Sequence, residues 1–391
     1  MTERAYRFRF YPTPEQETRL RRTMGCVRLV YNKALAVRTS GWYEKQERIG
    51  YSQTSSLLTE WKKQENLEFL NEVSCVPLQQ CLRHLQRAFT HFWAKRAKYP
   101  NFKKKRNGGS AEFTKSAFKW KEGKLFLAKC QEPLNIIWSR FLPQDCAPST
   151  VTVTLEPSDR WFVSILVKDP TIKPLPKTGK KVGIDVGVTS LIATSEGEKV
   201  ANPKQFNRLY KKLKRKQKVL SRKTKGSNNR YKACLEVAKV HAQIKDARTD
   251  FLHKLTTRLV GENDLIAIED LAIRNMVKNR KMAKVISDAS WGELNRQLEY
   301  KCQWYGKQLI RVDRYFPSSK RCENCGYIID KLPLNIRKWE CPKCGANHDR
   351  DINAAQNILA AGLAVSVCGA SVRPEESKSR KATALKQKPK S

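Results

Sequence analysis

The chain has 391 residues, room for two or three domains, and carries 77 Lys and Arg against 37 Asp and Glu, a net charge of +40. No run approaches the ~18–20 apolar residues of a membrane span, and the opening lacks the apolar stretch of a secretory leader, so a cytoplasmic protein is expected. A positive field of this size attracts polyanions and puts nucleic acid ahead of other partners, with a nonspecific basic protein as the bland alternative.

Tyr6-Arg7-Phe8-Arg9-Phe10 alternates apolar and basic residues as a half-buried strand does. Thr13, Pro14 and Gln16 then make a capping box, which predicts a helix from Pro14 past Val30. The pattern stays helical to about Lys98, with Leu78, Leu82, Leu85, Phe89, Phe92 and Trp93 on the apolar side. A basic cluster, Lys103, Lys104, Lys105 and Arg106, leads into Gly108-Gly109. Strands are predicted over 118–120 and 125–127 about a Glu122-Gly123 turn, and over 151–155 and 161–167 as a hairpin across 156–160. These strands and the first could share one small barrel, with the helical part inserted between them.

Pro170, Pro174 and Pro176 mark a linker, after which residue 180 opens a new unit. From 204 to 232 there are thirteen Lys or Arg and no acid. Leu209, Leu213 and Leu220 keep an apolar stripe there, predicting two basic helices joined near Gly226. Lys211, Lys212, Lys214 and Arg215 on the first of them are candidate nucleic-acid contacts, against the plain alternative of a solvated face. The second helix carries Leu252, Leu255 and Leu259 at core spacing, and the apolar run 264–269 reads as a central strand. The Lys- and Ser-rich tail from 373 is expected to be disordered.

Three acids stand where an RNase H-like sheet would place them: Asp185 and Glu269 at the ends of apolar strands, and Asp351 at the start of a helix. Convergent carboxylates suit Mg²⁺, and two such ions about 3.5 to 4 Å apart can both activate a water and neutralise an oxyanion leaving group. Asp185, on the central strand, is the candidate to bridge the two. Singly, an acid at a strand end is more often a loop cap, Asp351 could be only an N-cap, and Asp270 and Asp349 read as caps or solvated groups.

Between the second and third acids lie Cys322-x-x-Cys325 and, after fifteen intervening residues, Cys341-x-x-Cys344. Two such knuckles present four thiolates to one Zn²⁺, and with no open position the ion is structural. The alternative, paired redox motifs, needs strand-to-helix settings that Gly326 and Gly345 do not suggest, and the lone His348 reads as packing.

In order along residues 1 to 360, Phe10-Tyr11-Pro12, Val30-Tyr31-Asn32, Gly183-Ile-Asp185-Val-Gly187, Ile268-Glu269-Asp-Leu271, Phe316-Pro-Ser-Ser319 and His348-Asp-Arg-Asp351-Ile-Asn-Ala-Ala355 resemble TnpB of bacterial insertion sequences. Type V CRISPR effectors share this ancestry at greater usual length. The resemblance implies an α/β multidomain protein. Its β-barrel (wedge) domain takes 1–11 and 108–170, with a helical recognition domain 12–107 inserted and a linker at 171–179. A RuvC-like, RNase H-like nuclease domain then takes 180–316 and 348–372, with a zinc ribbon 317–347 inserted and a basic tail 373–391. It further implies a guide RNA from the transposon end, a double-stranded DNA target beside a short motif, Asp185, Glu269 and Asp351 as catalytic triad with two Mg²⁺, and one Zn²⁺ on Cys322, Cys325, Cys341 and Cys344. A monomer in the RNA complex is expected.

In relatives the N-terminal half reads the flanking motif, and Tyr51, Ser55, Gln79 and Thr114 occupy matching places; Cys75 stands where some relatives have a basic residue. Two other readings remain, a nuclease-inactive RNA-guided regulator and a transposase. All three acids are present, against the first. For the second, no His-hydrophobe-His pair accompanies a nucleophilic Tyr, and the ribbon between acids argues against a DDE arrangement.

Overall fold

The computed structural model describes residues 2–143, 146–333 and 335–367, so the expected tail and the end of the expected nuclease segment lie outside the described residues. Packing divides the chain into Met1–Lys173 with Gln205–Arg248, and Pro174–Lys204 with Thr249–Ser391. The basic hairpin Gln205–Arg248 groups by packing with the N-terminal part.

In the first unit, β1 (Thr2–Tyr11) buries Tyr6, Phe8 and Phe10 and turns Arg7 and Arg9 to the other face. α1 (Pro14–Lys45) starts at the expected box: Thr13 Oγ1 accepts from Gln16 N at 3.3 Å, and Gln16 Oε1 accepts from Thr13 N at 3.2 Å. α2 (Tyr51–Trp61) and α3 (Cys75–Trp93) follow, and α3 buries Leu78, Leu82, Leu85 and Phe89.

The chain returns to sheet as β2 (Gly109–Thr114), β3 (Phe118–Lys121), β4 (Lys124–Leu127), β5 (Asn135–Ile137), β6 (Thr150–Leu155) and β7 (Trp161–Asp169). The main sheet runs β2-β6-β7-β1-β5, all antiparallel, and places β1 between β7 and β5. The helices therefore interrupt the sheet in sequence.

Next along the chain come β8 (Lys181–Val186), β9 (Ser190–Thr194), β10 (Lys199–Ala201), α4 (Gln205–Ser221) and α5 (Asn228–Glu262). Leu213 of α4 packs on Val240 and Ile244 of α5, which leaves the Lys and Arg side of α4 in water. The remaining elements are β11 (Leu265–Glu269), α6 (Ile273–Met276), α7 (Arg280–Ala289), α8 (Trp291–Tyr305), β12 (Gln308–Val312), β13 (Lys338–Glu340), β14 (Asn347–Asp349) and α9 (Arg350–Val367).

The second unit holds a sheet of order β10-β9-β8-β11-β12, in which β8, β11 and β12 are parallel and β9 and β10 antiparallel. On one face Val182, Ile184, Ile266 and Ile268 meet Leu252, Leu255 and Leu259 of α5 and Leu294 and Leu298 of α8. On the other, Leu265, Ala267, Ile310 and Val312 meet Ile358 of α9. Cover on both faces is what unbroken apolar strands require. The end of the linker is pinned here: Asp264 accepts from Thr178 N at 2.9 Å, Gly179 N at 2.7 Å and Lys307 Nζ at 2.6 Å. Among the described residues no helix is long and apolar enough to cross a membrane.

Candidate metal centre and nucleic-acid surface

Strand register brings two of the acids side by side. Ile184 pairs with Ile268 across parallel β8 and β11, so Asp185 and Glu269 are the next residues on strands about 4.8 Å apart. By alternation both share the face of Gly183 and Ala267, the one α9 covers.

Two small residues set how closely α9 lies there. A Cβ on Gly183 would stand 2.1 Å from the carbonyl oxygen of Ala355, and one on Gly362 would stand 2.7 Å from Cβ of Ala267. A glycine inside a strand marks this kind of close approach. Asp351, one helical turn before Ala355, is thereby held over the strand ends that carry Asp185 and Glu269.

Helix capping falls to Asp349, whose Oδ1 accepts from Asp351 N at 3.1 Å and Ile352 N at 3.2 Å. Asp351 is left to other partners: Arg337 Nη1 at 3.1 Å from its Oδ1 and Lys199 Nζ at 3.7 Å from its Oδ2. Lys199 also binds Asp349 at 2.7 Å; burial opposes ionisation of Asp349, but this ammonium and the two backbone donors hold its carboxyl below the usual range. Asp270 pairs with Arg314.

Burial, then the charges of Asp351 and Glu269, push the Asp185 carboxyl up to about 7, and burial with the charge of Asp270 takes Glu269 to about 7. A half-buried Asp185 carboxyl raised by the charges of Asp351 and Glu269 is a setting that a divalent cation relieves, and carboxylate oxygens are the donor type that Mg²⁺ takes.

The four ribbon sulfurs lie within 4.8 Å of one another, with Cys322–Cys344 and Cys325–Cys341 each at 3.6 Å. A tetrahedron with Zn–S near 2.3 Å has edges of about 3.8 Å, so the thiols fit zinc. The knuckles repeat one turn: Gly326 N donates to Cys322 O and Gly345 N to Cys341 O, both at 2.9 Å, with φ of 75° and 70° at the glycines. His348 is packed, its ring 4.8 Å from that of Trp339 and its Nε2 3.0 Å from Cys322 Sγ.

Residues that the sequence reading passed over tie ribbon to helix. Asn357 Nδ2 donates to Ser318 O at 3.0 Å and Arg321 O at 2.7 Å, and Asn353 Nδ2 donates to Arg321 O at 2.8 Å while its Oδ1 accepts from Glu323 N at 3.0 Å. Two asparagines four apart, on one face of a largely apolar helix, are the signal, because buried amides need partners.

Among the candidate contacts, Tyr51 opens α2 with its ring 5.1 Å from the Arg83 guanidinium of α3, Ser55 lies one turn on, Gln79 is exposed on α3, and Thr114 ends β2. Lys103, Lys104, Lys105 and Arg106 lie exposed, with Lys103 tied through its backbone to Asn32 at 2.7 and 3.0 Å. Lys211, Lys214 and Arg215 are free in water on α4, whereas Lys212 donates to Gln243 at 3.2 Å.

Residues 164–280 match the OrfB_IS605 family model, described as "Probable transposase", and 291–358 match "Cas12f1-like, TNB domain". A Streptomyces pristinaespiralis protein named "Putative RNA-guided DNA endonuclease" is 58% identical over 99% of this chain and 96% of its own. The chain belongs to the TnpB family. A second TnpB-type relative, InsQ of Escherichia coli K12, bears the same description and is 33% identical over 94% of both chains. A Cas12f1 structure in complex with sgRNA and target DNA shares the fold of this TnpB chain, with a TM-score of 0.54 at 16% identity over 88% of this chain and 82% of that one. A helix-turn-helix model matches residues 1–47, where the structure has one strand and one long helix.

Proposed function

We propose that this TnpB protein is an RNA-guided endonuclease that cuts double-stranded DNA beside a short motif, directed by RNA from the transposon end. The observation that carries the reading is the meeting of Asp185, Glu269 and Asp351 on one face of the parallel sheet, where burial and mutual repulsion raise the Asp185 carboxyl to about 7. The names of relatives across nearly the whole chain support it.

The sheet β10-β9-β8-β11-β12 with α9 is read as the RNase H-like RuvC core, 180–316 and 348–372, and the antiparallel sheet as the wedge barrel, 1–11 and 108–170. The inserted helices, 12–107, and the ribbon, 317–347, complete the layout. Asp185, Glu269 and Asp351 would hold two Mg²⁺, which when bound activate water and stabilise the leaving oxygen. One Zn²⁺ on Cys322, Cys325, Cys341 and Cys344 would fix the ribbon against α9 through Asn353 and Asn357.

The protein's own part is positioning. The Gly183 and Gly362 contacts set the depth of α9, and Asp349 takes the cap so that the Asp351 carboxylate faces the strand ends. The Lys and Arg of 103–106 and α4 supply phosphate contacts, and Tyr51, Ser55, Gln79 and Thr114 the motif contacts. The complex is read as cytoplasmic, with one protein copy. Purified protein with its co-expressed RNA is expected to cut a plasmid whose target matches the RNA guide and to spare a mismatched one; equal cutting of both would remove RNA guidance.

A further inference from the structure

Tyr315 is 86% exposed, yet its backbone is fixed. Its N–H donates to Asp313 Oδ1 at 2.8 Å, and Phe316 N–H donates to Asp313 O at 3.1 Å, a tight turn that holds the ring outward. The turn springs from the carboxyl end of β12. There Val312 is level with Glu269, Val312 O accepts from Asp270 N at 2.9 Å, and Arg314 pairs with Asp270. Because β8, β11 and β12 run parallel, Asp185, Glu269 and the Tyr315 turn share one edge of the sheet, the edge where open parallel sheets bind ligands. A ring kept in water contributes little to folding, but its free face can stack on a base.

We propose that Tyr315 is a substrate-positioning residue, stacking on an unpaired base of the DNA strand next to the phosphate presented to Asp185, Glu269 and Asp351. The inference rests on the nuclease reading above. A single strand is the fitting occupant, because base faces are open only when unpaired, and stacking tolerates any sequence, as suits an enzyme whose target is chosen by RNA. The +40 charge draws the strand in.

The test uses the complex of protein with its RNA and a matching target, with 2-aminopurine placed in turn at each position around the mapped cut. Wild type and Tyr315→Phe should quench the probe at one or two positions beside the cut, and Tyr315→Ala should restore its fluorescence there. Tyr315→Ala should also raise KM at least about fivefold, with kcat less affected and Tyr315→Phe close to wild type. The exposed ring contributes little to folding, and an unchanged melting temperature checks this. Identical quenching, KM and cut position in wild type and Tyr315→Ala would overturn the stacking role. A parallel Asp185→Ala complex separates the two readings: if it is inactive while Tyr315→Ala matches wild type, only the stacking role falls, and if it still cuts at the same site, the acid site and the stacking role fall together.

Discussion

The carbonyl oxygen of Ala355 lies so close over Gly183 that a Cβ at position 183 would stand 2.1 Å away, with Leu359 N at 2.7 Å. Both neighbours are backbone of α9 and cannot turn aside. Gly183→Ala should therefore lift the helix and with it Asp351. We expect a loss of ~3 kcal/mol, read as a fall in melting temperature of ~6–12 °C, together with loss of cleavage. A Gly183→Ala protein with wild-type melting and activity would show that α9 is not placed by this contact.

Replacing Cys322 and Cys325 by Ser, or stripping metal with a chelator, should unfold the ribbon and lower folded yield. Metal analysis of the wild type should return one zinc per chain. Full stability of the double variant without zinc would contradict a structural ion.

The Arg337–Asp351 pair has a measurable consequence for cation binding. Arg337 is 53% exposed and Asp351 17%, which puts the pair in the range of ~0.2–1 kcal/mol. Arg337→Ala should strengthen Mn²⁺ binding, followed by electron spin resonance, by up to about fivefold. Weaker binding would mean that the guanidinium supports the cation site rather than competing with it.

How much of this was legible in the residues depends on the range of the interaction. The acids Asp185 and Glu269 end short apolar runs, and the Thr13–Gln16 box and the CxxC pairs are local patterns, so sequence spacing is enough to find them. From sequence both Asp349 and Asp351 read as possible caps, and only the geometry says which carboxylate caps the helix. The contact of Gly362 with Ala267 joins residues far apart in the chain, and nothing in the spacing of either announces it. The helices α7 and α8 are parted at Ser290, whose φ of 55° breaks any continuous period, so no single apolar stripe runs through that stretch. The grouping of Gln205–Arg248 with the N-terminal unit likewise comes from packing, since its Leu209–Leu213 stripe names a buried face without naming what covers it.

Stability should depend on pH through Asp185 and Glu269. Their folded pKa values near 7 stand above the ordinary 3.8 and 4.5, so the folded state holds these protons more tightly than the unfolded chain. Metal-free protein therefore loses stability as pH rises from about 4 through 7. Asp185→Asn should be more stable than wild type in chelator at pH 8, with the difference shrinking toward pH 5. Affinity for divalent cations should climb over the same interval, because cations compete with the protons. A melting temperature difference that does not change with pH would place the titration elsewhere.

The most direct measurement is cleavage of a matching target by the purified RNA complex of wild type and Asp185→Ala, with RNA and target binding measured on the same samples. Asp185→Ala is expected to abolish cutting while both binding affinities stay near wild type. Continued cutting by Asp185→Ala at the same position would contradict the placement of the active site at Asp185, Glu269 and Asp351.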